Sequence, residues 1–208
     1  MKYVYRIVHG LLAAAVFPAF VFLQLFYAEL SSPISTQYGM SIEFSVKRAI
    51  DFLMGNDRLN AIVSFDDLKG EMSWPAELDP IKAALICLVV FAVLALITAL
   101  FLVVWSCISN KRLVYLIAGG AGLAFVAAMM ICFVPISNFI ESDYFNIGAI
   151  LSDGLVAQIA GGFINVDRIL LGSFANGMLI LYIAMVVWTG MFYITDIGAD
   201  EKKEKKSK

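Results

Sequence analysis

The densest set of groups that could do chemistry is an acidic cluster between the first two apolar segments of the chain. Its members surround Trp74 and are Asp66, Asp67, Glu71, Glu77 and Asp79. Carboxylates bind Ca²⁺ when further oxygens converge with them, but the spacing of an EF-hand loop is absent. We therefore interpret the cluster as a solvated acidic face. An outer-face membrane enzyme that uses these carboxylates with a bound metal is kept as an alternative.

The remaining reactive side chains are few and isolated. His9 is the only histidine, and one imidazole cannot supply a two-histidine zinc or haem site; we interpret it as a residue at the membrane interface. Cys87, Cys107 and Cys132 lie within or at the ends of apolar segments, so the loops have no disulfide framework. No charged side chain lies deep in an apolar segment, where carriers and intramembrane proteases use one. We predict no catalytic residue, no cofactor and no metal site.

Four apolar segments set the architecture of a chain that is 61% apolar and 15% charged. They cover residues 7–28, 81–105, 113–134 and 173–194. Each reaches the roughly 20 residues needed to cross a hydrocarbon core of about 30 Å. The sequence predicts an all-α integral membrane protein, with one four-helix transmembrane bundle as a single domain over residues 1–208.

Charge predicts the orientation of this bundle. The residues before the first span, between the second and third, and after the fourth contain nine basic and four acidic residues. The intervening stretches, 29–82 and 135–173, together contain six basic and thirteen acidic residues. By the positive-inside rule, both termini are cytoplasmic. We expect a multi-pass protein of a plasma membrane, that of a bacterium, with a solvated, disordered basic tail at residues 199–208.

The two extracytoplasmic loops, residues 29–80 and 135–172, are predicted to form a small helical cap. Apolar residues recur at helical spacing from 41 to 54, with Ser41 as the cap, and Asp79 with Pro80 suits the start of the second span. Short strands are predicted at 61–65 and 163–166, and we hypothesise that they pair. The partner-binding candidates are the apolar stripes and one aromatic residue: Ile42, Val46, Ile50, Leu53, Trp74, Ile147, Ile150, Leu151 and Leu155.

Small residues at four-residue spacing predict where helices approach closely, because lipid supplies no hydrophobic drive for their association. The predicted packing positions are Ala95, Ala99, Gly120, Ala124, Ala128, Ser173 and Gly177. We interpret these ridges as contacts within one bundle. Contacts between copies are the alternative.

The function expected from these features is that of a non-catalytic membrane subunit or scaffold that docks a partner through its extracytoplasmic loops. The partners expected are the bilayer and another membrane or extracytoplasmic protein, or a second copy, and no nucleic acid. An oligomeric pore or permease component is the first alternative. The topology resembles that of claudin-type and tetraspanin-type proteins in outline, but the cysteine motifs of their loops are absent, so no family is assigned.

Overall fold

The computed structural model describes residues 2–32, 35–54, 76–109, 111–142 and 165–206. In chain order the elements are α1 (Lys2–Phe22), β1 (Phe26–Ser32), β2 (Ser35–Phe44), α2 (Val46–Leu53), a 3₁₀ helix (Ala76–Ile81), α3 (Lys82–Ile108), α4 (Arg112–Ile140), β3 (Asn165–Leu171) and α5 (Ser173–Lys206). Four of these helices, α1, α3, α4 and α5, are long and apolar enough to cross a membrane. They expose large apolar side chains along their length, which is consistent with a multi-pass membrane protein.

The chain divides into two compact units. The first, which we call the bundle unit, comprises Met1–Ala19, Val90–Ala128 and Asn176–Lys208. The second, the sheet unit, comprises Phe20–Val89 and Met129–Ala175. Each of the four long helices contributes residues to both.

The bundle unit packs its four helices around aromatic side chains. Tyr182 of α5 is fully buried, and its hydroxyl donates a hydrogen bond to the carbonyl oxygen of Ala95 in α3. Phe91 of α3 stacks on Phe125 of α4 with ring centroids 6.4 Å apart. Side chains of α3, α4 and α5 therefore interdigitate, as close packing of a core requires.

The sheet unit contains a three-stranded sheet, where the sequence predicts a helical cap with at most a short two-stranded pairing. Its three antiparallel strands have the order β2-β1-β3, and β1 pairs along most of its length with both neighbours. Residues 26–28 look like an apolar continuation of the first span. Phe26 and Tyr27, however, are of residue types that also favour strands. In a central strand, the backbone N–H and C=O groups form hydrogen bonds with the strands on both sides.

The predicted helix at 41–54 begins later than expected. Residues up to Phe44 belong to β2, where Ile42 pairs with Ala28. Ser45 is the cap in place of Ser41, because its Oγ accepts the backbone N–H of Arg48 at 3.1 Å. The strand predicted at 61–65 lies outside the described residues. The described β3 begins at Asn165 and pairs with β1.

The long helices also differ from the predicted spans at their ends. Helix α1 stops at Phe22, six residues early, whereas α4 continues through Pro135 to Ile140. Asp79 and Pro80 lie in the 3₁₀ helix that leads into α3. Helix α5 runs on to Lys206, so the expected disordered tail is helical there, since its Ala, Glu and Lys residues are good helix formers.

Candidate functional site

The sheet is tied to the helices at the junctions where α1 ends and α5 begins. Gln24 and Leu25 connect α1 to β1, and their backbone groups bond to three other segments. The Leu25 N–H donates to the Phe44 carbonyl at 2.7 Å, and the Leu25 carbonyl accepts from Gly172 at 2.9 Å. The Gln24 carbonyl accepts from Phe174, in the first turn of α5, at 2.9 Å. These bonds join β1, the end of β2 and the start of α5 at one point.

A second anchor links α4 to the edge strand β3. The Ser137 hydroxyl lies 2.9 Å from the Ile169 carbonyl and 3.2 Å from Glu141 Oε1, and can donate to either. Arg168 Nε lies 3.7 Å from Glu141 Oε1, with both side chains substantially exposed. The exposed ion pair adds little by itself. The anchor therefore depends mainly on Ser137 and on apolar packing.

That packing is an apolar cluster formed by Ile81, Phe133 and Ile136, all buried. Ile169 and Leu171 of β3 pack against it. Burying a large aliphatic or aromatic side chain contributes about 1.5–3 kcal/mol. The 3₁₀ helix, the first turns of α3 and the last turns of α4 thus support the sheet through a core of their own.

Three apolar side chains of the sheet unit lie outside the candidate spans and are exposed. They are Phe44, Ile50 and Met54, which are 38%, 40% and 70% exposed, and we call them together the α2 surface. The Met54 N–H donates to the Ile50 carbonyl at 3.0 Å, so these two side chains follow one another on one face of the helical turn. Phe44 stacks on Phe26 with centroids 4.8 Å apart.

Only part of the predicted partner-binding set falls on described residues. Val46 and Ile50 lie on α2, where Val46 is half-buried and Ile50 exposed. Leu53 ends the same helix, and Ile42 lies in β2. The other candidates, Trp74, Ile147, Ile150, Leu151 and Leu155, lie outside the described residues, as do Asp66, Asp67 and Glu71 of the acidic cluster. Asp79 is exposed.

The small-residue positions fall on different faces of their helices. Ala95 and Ala99 of α3 are fully buried. On α4 the buried face carries Gly119 and Gly122, whereas Ala124 is exposed and a Cβ added at Gly120 would meet nothing within 4 Å. Ala128 and Gly177 are half-buried and Ser173 is exposed. Packing at Gly120 and Ala124 against a further helix stays a prediction.

The bundle unit contains a buried polar and aromatic cluster that was not predicted from the sequence. Tyr5 donates from its hydroxyl to Thr189 Oγ1 at 3.2 Å, and Thr189 donates to the Met185 carbonyl at 2.8 Å. The Tyr5 ring meets Tyr115 edge-on at 5.5 Å, and the Arg112 guanidinium lies 5.4 Å from its centroid. The spacing of Tyr5 and His9, four residues apart on one helix face, is the only sequence signal for it.

His9 belongs to this cluster, because its side chain is 0% exposed and packs inside the bundle unit. Its ring centroid lies 4.5 Å from that of Tyr115, and neither ring nitrogen has a hydrogen-bond partner among the residues that the structure describes. An unsatisfied buried polar group costs about 1–3 kcal/mol.

We therefore expect His9→Leu to raise the stability of the purified protein by about 1 kcal/mol, because it removes an unsatisfied polar group at similar volume. Thermal unfolding in detergent, followed by circular dichroism, measures the change. Thr189→Val is the comparison, since it removes a hydroxyl that is bonded on both sides and should destabilise. A loss of stability in His9→Leu as large as that in Thr189→Val would show that the imidazole has a polar partner.

Among the residues that the structure describes, no three His, Cys, Asp or Glu side chains lie close enough together to hold a metal ion. The described residues form apolar surfaces and hydrogen-bonded anchors between elements. Comparisons of the chain with protein-family models, with curated proteins and with solved structures give no match.

Proposed function

We propose that this chain is a non-catalytic multi-pass membrane protein that docks a partner protein through the α2 surface of its sheet unit. The observation that carries the proposal is the exposure of Phe44, Ile50 and Met54, which lie outside the four helices long and apolar enough to span a membrane. Exposed apolar patches on an ordered scaffold are typical of interaction sites. Methionine adapts its shape to a partner at such surfaces.

The anchoring of the sheet supports the same proposal. Because the backbone of Gln24 and Leu25 joins β1, β2 and α5, a partner on the sheet unit would be held at a fixed position relative to these segments. Less ordering entropy is lost when a docking surface is already rigid. The distribution of charge supports cytoplasmic termini, with the sheet unit on the outer side of a bacterial plasma membrane.

The test is to measure the native mass of the tagged full chain after extraction from its own organism in mild detergent. The wild type is compared with a variant whose α2 surface is substituted. Ile50→Glu combined with Met54→Glu should reduce a stoichiometric second protein at least tenfold, since two desolvated apolar contacts are lost and about 1.4 kcal/mol corresponds to tenfold. Lys47→Gln is the control, because Lys47 is exposed on the same helix. This substitution also makes the net charge of the chain more negative, and it should retain the partner.

The proposal fails if the double variant retains as much of the second protein as the Lys47→Gln control. It also fails if the wild-type chain elutes alone under conditions that keep other membrane complexes intact. Folding of each variant is confirmed by its unchanged circular dichroism spectrum.

A second candidate function is that of a homo-oligomeric pore component. It is favoured by the ridge of Gly120 and Ala124 on α4, where Ala124 is exposed and nothing meets a Cβ at Gly120. Small residues let helices of neighbouring copies approach closely in lipid. A closed ring of identical chains in the same native-mass experiment, lost in Ala124→Leu, would favour this function over docking.

A further inference from the structure

Arg6 of α1 closes the end of α3 in the bundle unit. Its Nε–H donates to the Ser106 carbonyl at 2.7 Å, and Nη2 donates to the Cys107 carbonyl. The carbonyl groups in the last turn of a helix have no N–H donor within the helix to bond to. A cation placed there also complements the negative end of the helix dipole. These two bonds use two of the five N–H donors of the guanidinium, and a third faces the hydroxyl of Tyr115. Two donors are left to meet an anion.

A groove lies beside this contact, between α1 and α3. Its volume is about 420 Å³, and its lining residues are Arg6, Ile7, Gly10, Leu11, Val103, Ser106 and Cys107. This volume falls within the ~300–1,000 Å³ typical of small-molecule sites. Ile7 and Leu11 are 60% and 65% exposed, so the groove opens on the surface of the helices that would face lipid.

Gly10 keeps the groove open at its base. A Cβ at this position would lie 2.6 Å from Ser106 Oγ, and Ser106 itself donates back to the Val103 carbonyl at 2.6 Å. The two helices therefore meet closely at Gly10 and Ser106. The larger side chains on either side, Ile7 and Leu11, form the wall of the cleft.

The two ends of the groove differ in chemistry. The end at Arg6 is cationic, and the exposed Lys111 follows in the turn after α3. The other end, toward Leu11 and Val103, is apolar. An occupant that matches both ends has an anion at one end and a hydrocarbon chain extending from it.

We propose that this groove binds an anionic glycerophospholipid, with its phosphate at Arg6 and one acyl chain along Ile7, Leu11 and Val103. A guanidinium suits phosphate oxygens because its donors form a planar fork. Basic pockets between transmembrane helices are known sites for acidic headgroups. A zwitterionic lipid brings an ammonium group close to Arg6 and Lys111, so the net-negative headgroup is preferred. This site is independent of the α2 surface and of the function proposed for it.

The experiment is native mass spectrometry of the full chain, delipidated in detergent and then titrated with equimolar dioleoyl phosphatidylglycerol and dioleoyl phosphatidylcholine. We expect the wild type to retain the anionic lipid at least fivefold over the zwitterionic one. Leu11→Trp fills the apolar end and should lower retention of the anionic lipid at least fivefold. Ile180→Trp, at a position 66% exposed on α5, is the matched control and should bind like the wild type.

Arg6→Gln should abolish the preference between the two lipids, provided that its circular dichroism spectrum shows a folded chain. If this variant does not fold, Leu11→Trp and its control decide the question. Glycerol phosphate, which has the headgroup chemistry without chains, should not displace the bound lipid. Equal retention of both lipids by the wild type, Leu11→Trp behaving like Ile180→Trp, or displacement by glycerol phosphate would overturn the proposal.

Discussion

The substitution Gly122→Ala is expected to destabilise the bundle unit by about 1–3 kcal/mol, the usual cost of overpacking a core. A Cβ at Gly122 would overlap the ring of Tyr182, contacting its Cε1, Cζ and Cδ1 atoms. Tyr182 is fully buried, and its hydroxyl is held by the Ala95 carbonyl. The ring therefore cannot move aside without breaking that hydrogen bond or displacing α3.

Gly120→Ala provides a control on the same helix. In the described part of the chain nothing lies within 4 Å of a Cβ at Gly120, so alanine there should be neutral or stabilising by up to about 1 kcal/mol through its helix propensity. Both variants gain the same propensity term, and their difference isolates the packing at Tyr182. Unfolding of the purified chain in detergent with increasing SDS measures both. Equal stability of the two variants would contradict the packing described for α4 and α5.

The second large effect is expected at Gly172, between β3 and α5. A Cβ there would collide with the backbone carbonyl of Gln24. The same carbonyl accepts the Phe174 N–H, so moving it breaks a bond at the start of α5. We expect Gly172→Ala to destabilise the sheet unit by at least about 1–3 kcal/mol, because a backbone atom cannot rotate away as a side chain can.

Hydrogen exchange followed by mass spectrometry localises this effect. Peptides from β1 and β3 should exchange at least tenfold faster in Gly172→Ala than in the wild type, since the junction that holds both strands is lost. Gly190→Ala, in α5 with nothing within 4 Å of its Cβ, should leave both peptides protected. Unchanged protection of β1 and β3 in Gly172→Ala would show that the Gln24 junction does not hold the sheet.

The four long helices could be predicted from the sequence because their apolar runs are local and continuous. The sheet could not, since the pairing of β1 with β3 joins residues more than 130 positions apart. Phe26 and Tyr27 are apolar enough to be predicted as the end of a membrane span. They form a strand because β2 and β3 pair with them on both sides. Ser41 and Ser45 are both plausible helix caps by residue type, and the end of β2 at Phe44 selects Ser45.

The candidate sites divide in the same way. The apolar stripe through Val46 and Ile50 was predictable from its helical period. The identity of the buried face of α4 could not be predicted, because Gly119, Gly120 and Gly122 place small residues on several faces of that helix. The contacts of Arg6 with the end of α3 and of His9 with Tyr115 depend on tertiary packing, which local patterns do not encode.

Site-specific photo-crosslinking in the native membrane tests the docking claim most directly. A benzophenone side chain is placed at Ile50 or Met54 of the α2 surface and, as a control, at Lys47 of the same helix. We expect the first two positions to crosslink to one and the same second protein and Lys47 not to crosslink to it. Adducts only with lipid, or only with a second copy of the chain, would contradict it.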